Sequence, residues 1–142
     1  MLGTLDDHGI VNLPVGTFQR VTVRRIVPNV FDADPAATRG FYGDLFGLET
    51  AMDMGWITTL VAPDNRAAQI SIFEPDAEPG RDPFLSIEVS DVDAIHTRAQ
   101  ELGCEIVYSL RDEDWGVRRF MLRDPAGRVV NVLAHGPRGR VG

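Results

Sequence analysis

The side chains with chemistry to offer in this 142-residue chain are few: three histidines, one cysteine, a strand carboxylate, a run of acids beside a tryptophan, and a pair of arginines. Glu88 lies in an alternating run, where a carboxylate can be a metal ligand, a general base or one half of an ion pair. His8 falls in an unpatterned segment, His96 in a helical stretch that reads as solvent-facing, and His135 just past the last strand-like run. A single imidazole without carboxylate partners does not make a metal site. Cys104 stands alone, so an internal disulfide and any multi-thiolate centre are excluded; close to Ile106 and Val107 it reads as a small buried hydrophobe. Asp112, Glu113 and Asp114 read as a solvated loop that, beside Trp115, can also attract a cation. Arg118 and Arg119 are expected to face opposite ways, one in a structural ion pair and the other free for a ligand or partner. The chain has no Gly-rich phosphate loop, no G-x-S-x-G elbow and no H-E-x-x-H.

The chain that must position these groups is ordinary in make-up. Hydrophobic residues account for 44% and charged ones for 25%, which excludes disordered, collagen-like and disulfide-scaffold classes, and the length suffices for one core. The 21 acids outnumber 14 bases, every base being arginine, for a net charge of −7. Such a surface repels phosphate backbones and anionic membranes and favours a cationic small molecule. No run approaches the roughly 20 apolar residues that cross a bilayer, and the N-terminus lacks signal-peptide order, so the expected location is the cytoplasm.

Residues 1–20 carry no sustained period and are expected to form an extension. Val21 to Phe31 is β-branched, and Pro28 within it predicts a strand near an edge or a bulge. Asp34-Pro35 starts a helix whose stripe is Phe41, Leu45 and Phe46 and which Gly47 stops. Strands follow over Glu49 to Met54, Trp56 to Ala62 and Ala68 to Phe73, with a turn at Pro63-Asp64-Asn65. After a Pro- and acid-rich loop the order recurs: strand Phe84 to Val89, helix Asp91 to Leu102 ended by Gly103, then strands Glu105 to Leu110, Val117 to Arg123 and Arg128 to Ala134. Helix starts and proline turns repeat at a near-constant offset, so the chain reads as one βαβββ unit written twice, 21–76 and 84–136, within one domain over 21–136. Leu85, Ile87 and Val89 alternate with Phe84, Ser86 and Glu88, which gives the sheet one face under helices and one more polar face, where function is expected.

Two such units, the segment Phe41-Tyr42-Gly43-Asp44-Leu45-Phe46-Gly47-Leu48-Glu49 and the segment from Trp115-Gly116-Val117-Arg118 to Asp124-Pro125-Ala126-Gly127 together resemble the vicinal oxygen chelate superfamily over residues 22–135. That superfamily includes glyoxalases, bleomycin-resistance proteins and extradiol dioxygenases, and the second segment looks most like the bleomycin-resistance branch. The resemblance implies an α+β fold: two tandem βαβββ modules forming a curved mixed-sheet cup with helices on the outer face. In the family's enzymes a divalent metal sits in the cup, held by His, Glu or Gln. Here those places fall on Val27, Ser71 (or Gln69, two residues away), Phe84 and Asn131, so the implied protein holds no metal or other cofactor.

Parity puts Val27, Asn29, Gln69, Ser71, Phe84, Ser86, Asn131 and Leu133 in the cup, with Glu88 in step and Arg119, Met121 and Arg123 nearby. Trp56 and Trp115 begin corresponding strands and read equally as core plugs or as stacking platforms. The expected ligand-binding set is Asn29, Trp56, Gln69, Ser71, Phe84, Ser86, Glu88, Trp115, Arg119, Met121 and Asn131, with no catalytic residue. The implied function is metal-free binding of a small molecule, for instance sequestration of an antibiotic, in a homodimer with its groove at the subunit boundary. The alternatives are a metal-dependent lyase, isomerase or dioxygenase, or a dimer with no ligand of its own.

Overall fold

The β-branched run after residue 20 becomes the middle of the molecule. In the computed structural model, residues 4–5, 11–12, 21–75 and 82–136 are described. Two short strands, β1 (Thr4–Leu5) and β2 (Val11–Asn12), pair antiparallel. The remainder of the expected extension over 1–20 lies outside the described residues. The first module runs β3 (Val23–Phe31), α1 (Pro35–Phe46), β4 (Glu49–Asp53), β5 (Ile57–Ala62) and β6 (Asn65–Phe73). The second runs β7 (Leu85–Val89), α2 (Val92–Glu101), β8 (Ile106–Asp112), β9 (Val117–Arg123) and β10 (Val129–His135). All eight long strands form one curved mixed sheet in the order β4-β5-β6-β3-β7-β10-β9-β8. Within each half the first and last strands are parallel, and the halves join through the antiparallel pair β3 and β7.

β3 is therefore central, which corrects the edge expected from Pro28; a register shift between Val23 and Arg25 does interrupt the strand. A central proline is tolerated because of where its missing N–H would point. The Asn29 N–H turns to the Phe84 carbonyl on the β7 side, so residue 28 faces β6, just before the β3–β6 ladder begins at Asn29 and Ser71.

α2 starts where Asp91 accepts a hydrogen bond from the Ala94 N–H at 3.0 Å. Its inner residues Val92 and Ala99 close on Val89, Phe120, Val132 and Ala134, with Cys104 packed partly buried against the cluster as expected of a small hydrophobe. His96 is not solvent-facing: its ring meets that of Phe120 edge-on at 4.9 Å, because it shares the α2 face that covers the sheet.

α1 differs. Its expected stripe points away from the sheet, with Phe41 57%, Leu45 62% and Phe46 62% exposed. Thr38 donates to Asp32, and Arg39 pairs with Asp53 at 3.1 Å. Gly47 closes α1 in the left-handed conformation (φ 71°), its N–H donating to the Gly43 carbonyl.

Candidate functional site

Alternation sends Phe120, Val132 and Ala134 under α2, and sends their neighbours Arg119, Asn131 and Leu133 to the opposite face. There the strands of both modules enclose a cavity of about 260 Å³ within one chain. Its apolar walls are Val27, Met52, Met54, Trp56, Ile57, Phe73, Trp115, Val117 and Leu133. The indoles of Trp56 and Trp115, one from each module, lie 5.3 Å apart at 65° and are 36% and 41% exposed. Trp56 also contacts Phe73 at 5.8 Å.

Four strands contribute to one polar network. Arg25 of β3 donates Nε to Glu88 Oε1 at 2.6 Å and Nη1 to Gln69 Oε1 at 2.7 Å. Gln69 of β6 donates onward to the Arg66 carbonyl at 2.8 Å, and His135 of β10 meets Glu88 Oε2 of β7 at 2.9 Å. Burial pushes the Glu88 carboxyl up, but the hydrogen bond and charge of His135 and the Arg25 guanidinium outweigh it, so its pKa lies below the usual glutamate value.

A depressed folded pKa adds stability that is complete above the unfolded value, about 4.3, and is lost as pH falls through the folded one. Glu88→Gln is thus expected to lower the urea midpoint at pH 7 while narrowing the difference from wild type near pH 3. A constant difference across that range would show that the Glu88 charge contributes nothing.

Deeper in the cup, Ser86 Oγ accepts from Asn29 Nδ2 at 3.0 Å and from Asn131 Nδ2 at 3.2 Å. Both amide oxygens, Asn29 Oδ1 and Asn131 Oδ1, are buried without a hydrogen-bond partner among the described residues. Asn131 is only 6% exposed and lines the cavity.

Of the expected set, Trp56, Gln69, Ser71, Ser86, Glu88, Trp115, Arg119 and Asn131 line this cavity. Three do not. Asn29 supports the floor through Ser86 and the Pro83 carbonyl. Phe84 precedes β7 and lies under the Arg128 guanidinium at 5.0 Å, and Met121 borders a second depression of about 220 Å³ that shares Trp56, Phe73 and Arg119. Arg123, placed nearby by parity, pairs instead with Glu105 at 3.2 Å.

Arg118 makes the expected ion pair, with Asp93 at 2.9 Å and Asp112 at 3.4 Å, but Arg119 is not free. It donates to Glu113 at 2.6 Å and its guanidinium lies 5.3 Å from the Trp115 ring. Glu113, expected in a solvated loop, also accepts from Tyr108 OH, and only 11% of its side chain is exposed. Burial raises this carboxyl, yet the bonds from Tyr108 and Arg119 hold it below the usual range. Two of the three acids expected to draw a cation are thus already neutralised.

Lining residues missed by the sequence reading include Arg25, Arg66, Met52, Met54 and Phe73. Arg25 has the parity of Val27, so alternation contained the signal. Ala51 and Met52 both reach the cavity because the β4–β5 register shifts between Thr50 and Met52, which no periodicity reveals.

Residues 22–132 match the family model described as Glyoxalase/Bleomycin resistance protein/Dioxygenase superfamily. The chain belongs to that superfamily. No curated protein matches it. Among solved structures, a superfamily member from Vibrio splendidus 12B01 superposes with a TM-score of 0.61 at 18% identity, covering 79% of this chain and 98% of that one. Methylmalonyl-CoA epimerase from Mycobacterium tuberculosis gives 0.58 at 22%, covering 81% and 88%. A structure described as NAD-dependent benzaldehyde dehydrogenase from Legionella pneumophila gives 0.64 at 16%, covering 78% and 98%. At such identities the likeness is one of fold.

The divalent metal of the superfamily's enzymes does not fit this cup. Val27, Ser71, Phe84 and Asn131 offer no imidazole or carboxylate, the alternative Gln69 offers only a neutral amide whose oxygen already accepts from Arg25, and no group of three or more His, Cys, Asp or Glu among the described residues can hold an ion. Glu88 is already shared by Arg25 and His135. Elemental analysis after dialysis is expected to find far less than stoichiometric Zn, Ni, Fe or Mn; one per chain would overturn this reading of the donors.

Proposed function

We propose that this superfamily member is a metal-free small-molecule binding protein, and that sequestration of a ligand such as an antibiotic is its role. The observation that carries the reading is the cavity itself: Trp56, Phe73, Trp115 and Leu133 give it apolar walls, and Gln69, Ser71, Ser86 and Asn131 set neutral polar groups into it. Apolar walls with a few orienting polar groups are the make-up of ligand sites. At about 260 Å³ the cup lies just below the roughly 300–1,000 Å³ typical of such pockets, which favours one- or two-ring compounds over a large glycopeptide. Thermal-shift screening of planar antibiotics and related aromatics, with Trp fluorescence titration of hits, tests it. Saturable binding supports the reading, and no hit across the panel at millimolar concentration counts against it.

The protein is further proposed to be a homodimer. β4 and β8 are the sheet's outer strands, every residue of β4 is exposed, and Phe41, Leu45 and Phe46 of α1 lie uncovered among the described residues. Sedimentation equilibrium is expected to give twice the chain mass of 15.6 kDa; the single-chain mass at micromolar concentration would contradict it.

A further inference from the structure

The charge of the cup is opposite to that of the chain. Against a net charge of −7, its lining holds three arginines, Arg25, Arg66 and Arg119, and one carboxylate, Glu88. Glu88 is committed to Arg25 and His135, and Arg119 to Glu113. Arg66, exposed on β6, has no ion pair among the described residues. A guanidinium carries five N–H donors. Arg25 uses two of them, on Glu88 and Gln69, and the other three have no partner among the described residues. The Arg25 chain is also held: its Nε and Nη1 are pinned by strands β7 and β6, so little further rotamer freedom is lost when it binds.

We propose that the cup takes a planar organic carboxylate, with Arg25 and Arg66 as its charged anchors and Trp56 and Trp115 against its rings. The proposal rests on the small-molecule-binding reading and specifies the charge of the ligand. A cation is fixed in the cup by the protein itself, as a guanidinium, and this guanidinium supplies the charge-assisted hydrogen bonds that planar carboxylates accept in bidentate fashion. The paired acids Asp112 and Glu113 leave little to attract a cation instead.

The test uses three compounds with one ring system, 2-naphthoate, 2-naphthamide and 2-naphthylmethylammonium, titrated into the full chain by calorimetry and Trp fluorescence. Naphthoate is expected to bind at least about tenfold tighter than the amide, a gap that closes as salt rises. Arg66→Gln and Arg25→Lys are each expected to weaken naphthoate about tenfold and to leave the amide within about twofold. Arg25→Lys keeps a cation beside Glu88, and Arg66 has no ion pair to lose, so circular dichroism and melting should show both variants folded. Equal or tighter binding of the amide or the ammonium compound, or unchanged naphthoate affinity in both variants, overturns the proposal while the binding reading survives. Failure of all three compounds together with the antibiotic panel removes both.

Discussion

Trp115→Ala is expected to weaken binding of a planar aromatic ligand by about 1–3 kcal/mol, roughly 5- to 150-fold, with little change in melting temperature. The ring is 41% exposed at the cavity wall, with Trp56 to one side and the Arg119 guanidinium over its face, so much of its surface is available to a ligand. Truncating a side chain this exposed removes little from the folded core. Trp115→Phe should recover most of the affinity because a flat ring remains. Intrinsic fluorescence and calorimetric titration of the three proteins measure it. If Trp115→Ala binds as wild type does and melts at a lower temperature, the indole is a plug for the end of the sheet and contributes nothing to recognition.

Phe120→Ala should do the reverse, lowering stability by about 3–5 kcal/mol while leaving the cup's ligand contacts in place. Phe120 is 0% exposed and sits among Val89, Val92, Ala99, Val132 and Ala134, with His96 against its ring edge. Its loss leaves a void between α2 and the sheet, because strands bonded on both sides cannot collapse to fill it. Urea denaturation at neutral pH reads the change. A loss below about 1 kcal/mol would mean that the layer under α2 is loosely packed. Its neighbours Arg119 and Met121 face the other side of β9, so the two substitutions separate stability from recognition along one strand.

Local chemistry made much of this legible. The repeat of β-branched runs and capped helices gives two βαβββ units, because turn residues such as Pro63 and Pro125 and end signals such as Asp91 and Gly47 act within a few residues of themselves. Period-2 alternation then brings Gln69, Ser71, Ser86, Glu88, Asn131 and Leu133 to one face, since a strand's side chains have no third direction.

Alternation places Arg118 and Arg119 on opposite faces but does not choose their partners. Asp93 and Glu113 capture them across distances set by how α2 and the β8–β9 connection fold back. The partial burial of His96 and the exposure of the α1 stripe share one reason: how a helix is rotated on a sheet depends on its packing against strands distant in sequence, as His96 meets Phe120 of β9.

By itself, then, the amino-acid sequence determined the elements, their duplication and the superfamily, because each depends on residue type or short-range order. Only the tertiary structure decided that β3 is central, that both modules of one chain close the cup, and that Arg25, Gln69, Glu88 and His135 form one network. Those facts depend on which strand lies beside which and in what register, and pairing between β3 and β7 joins residues about sixty positions apart, beyond the reach of any local pattern.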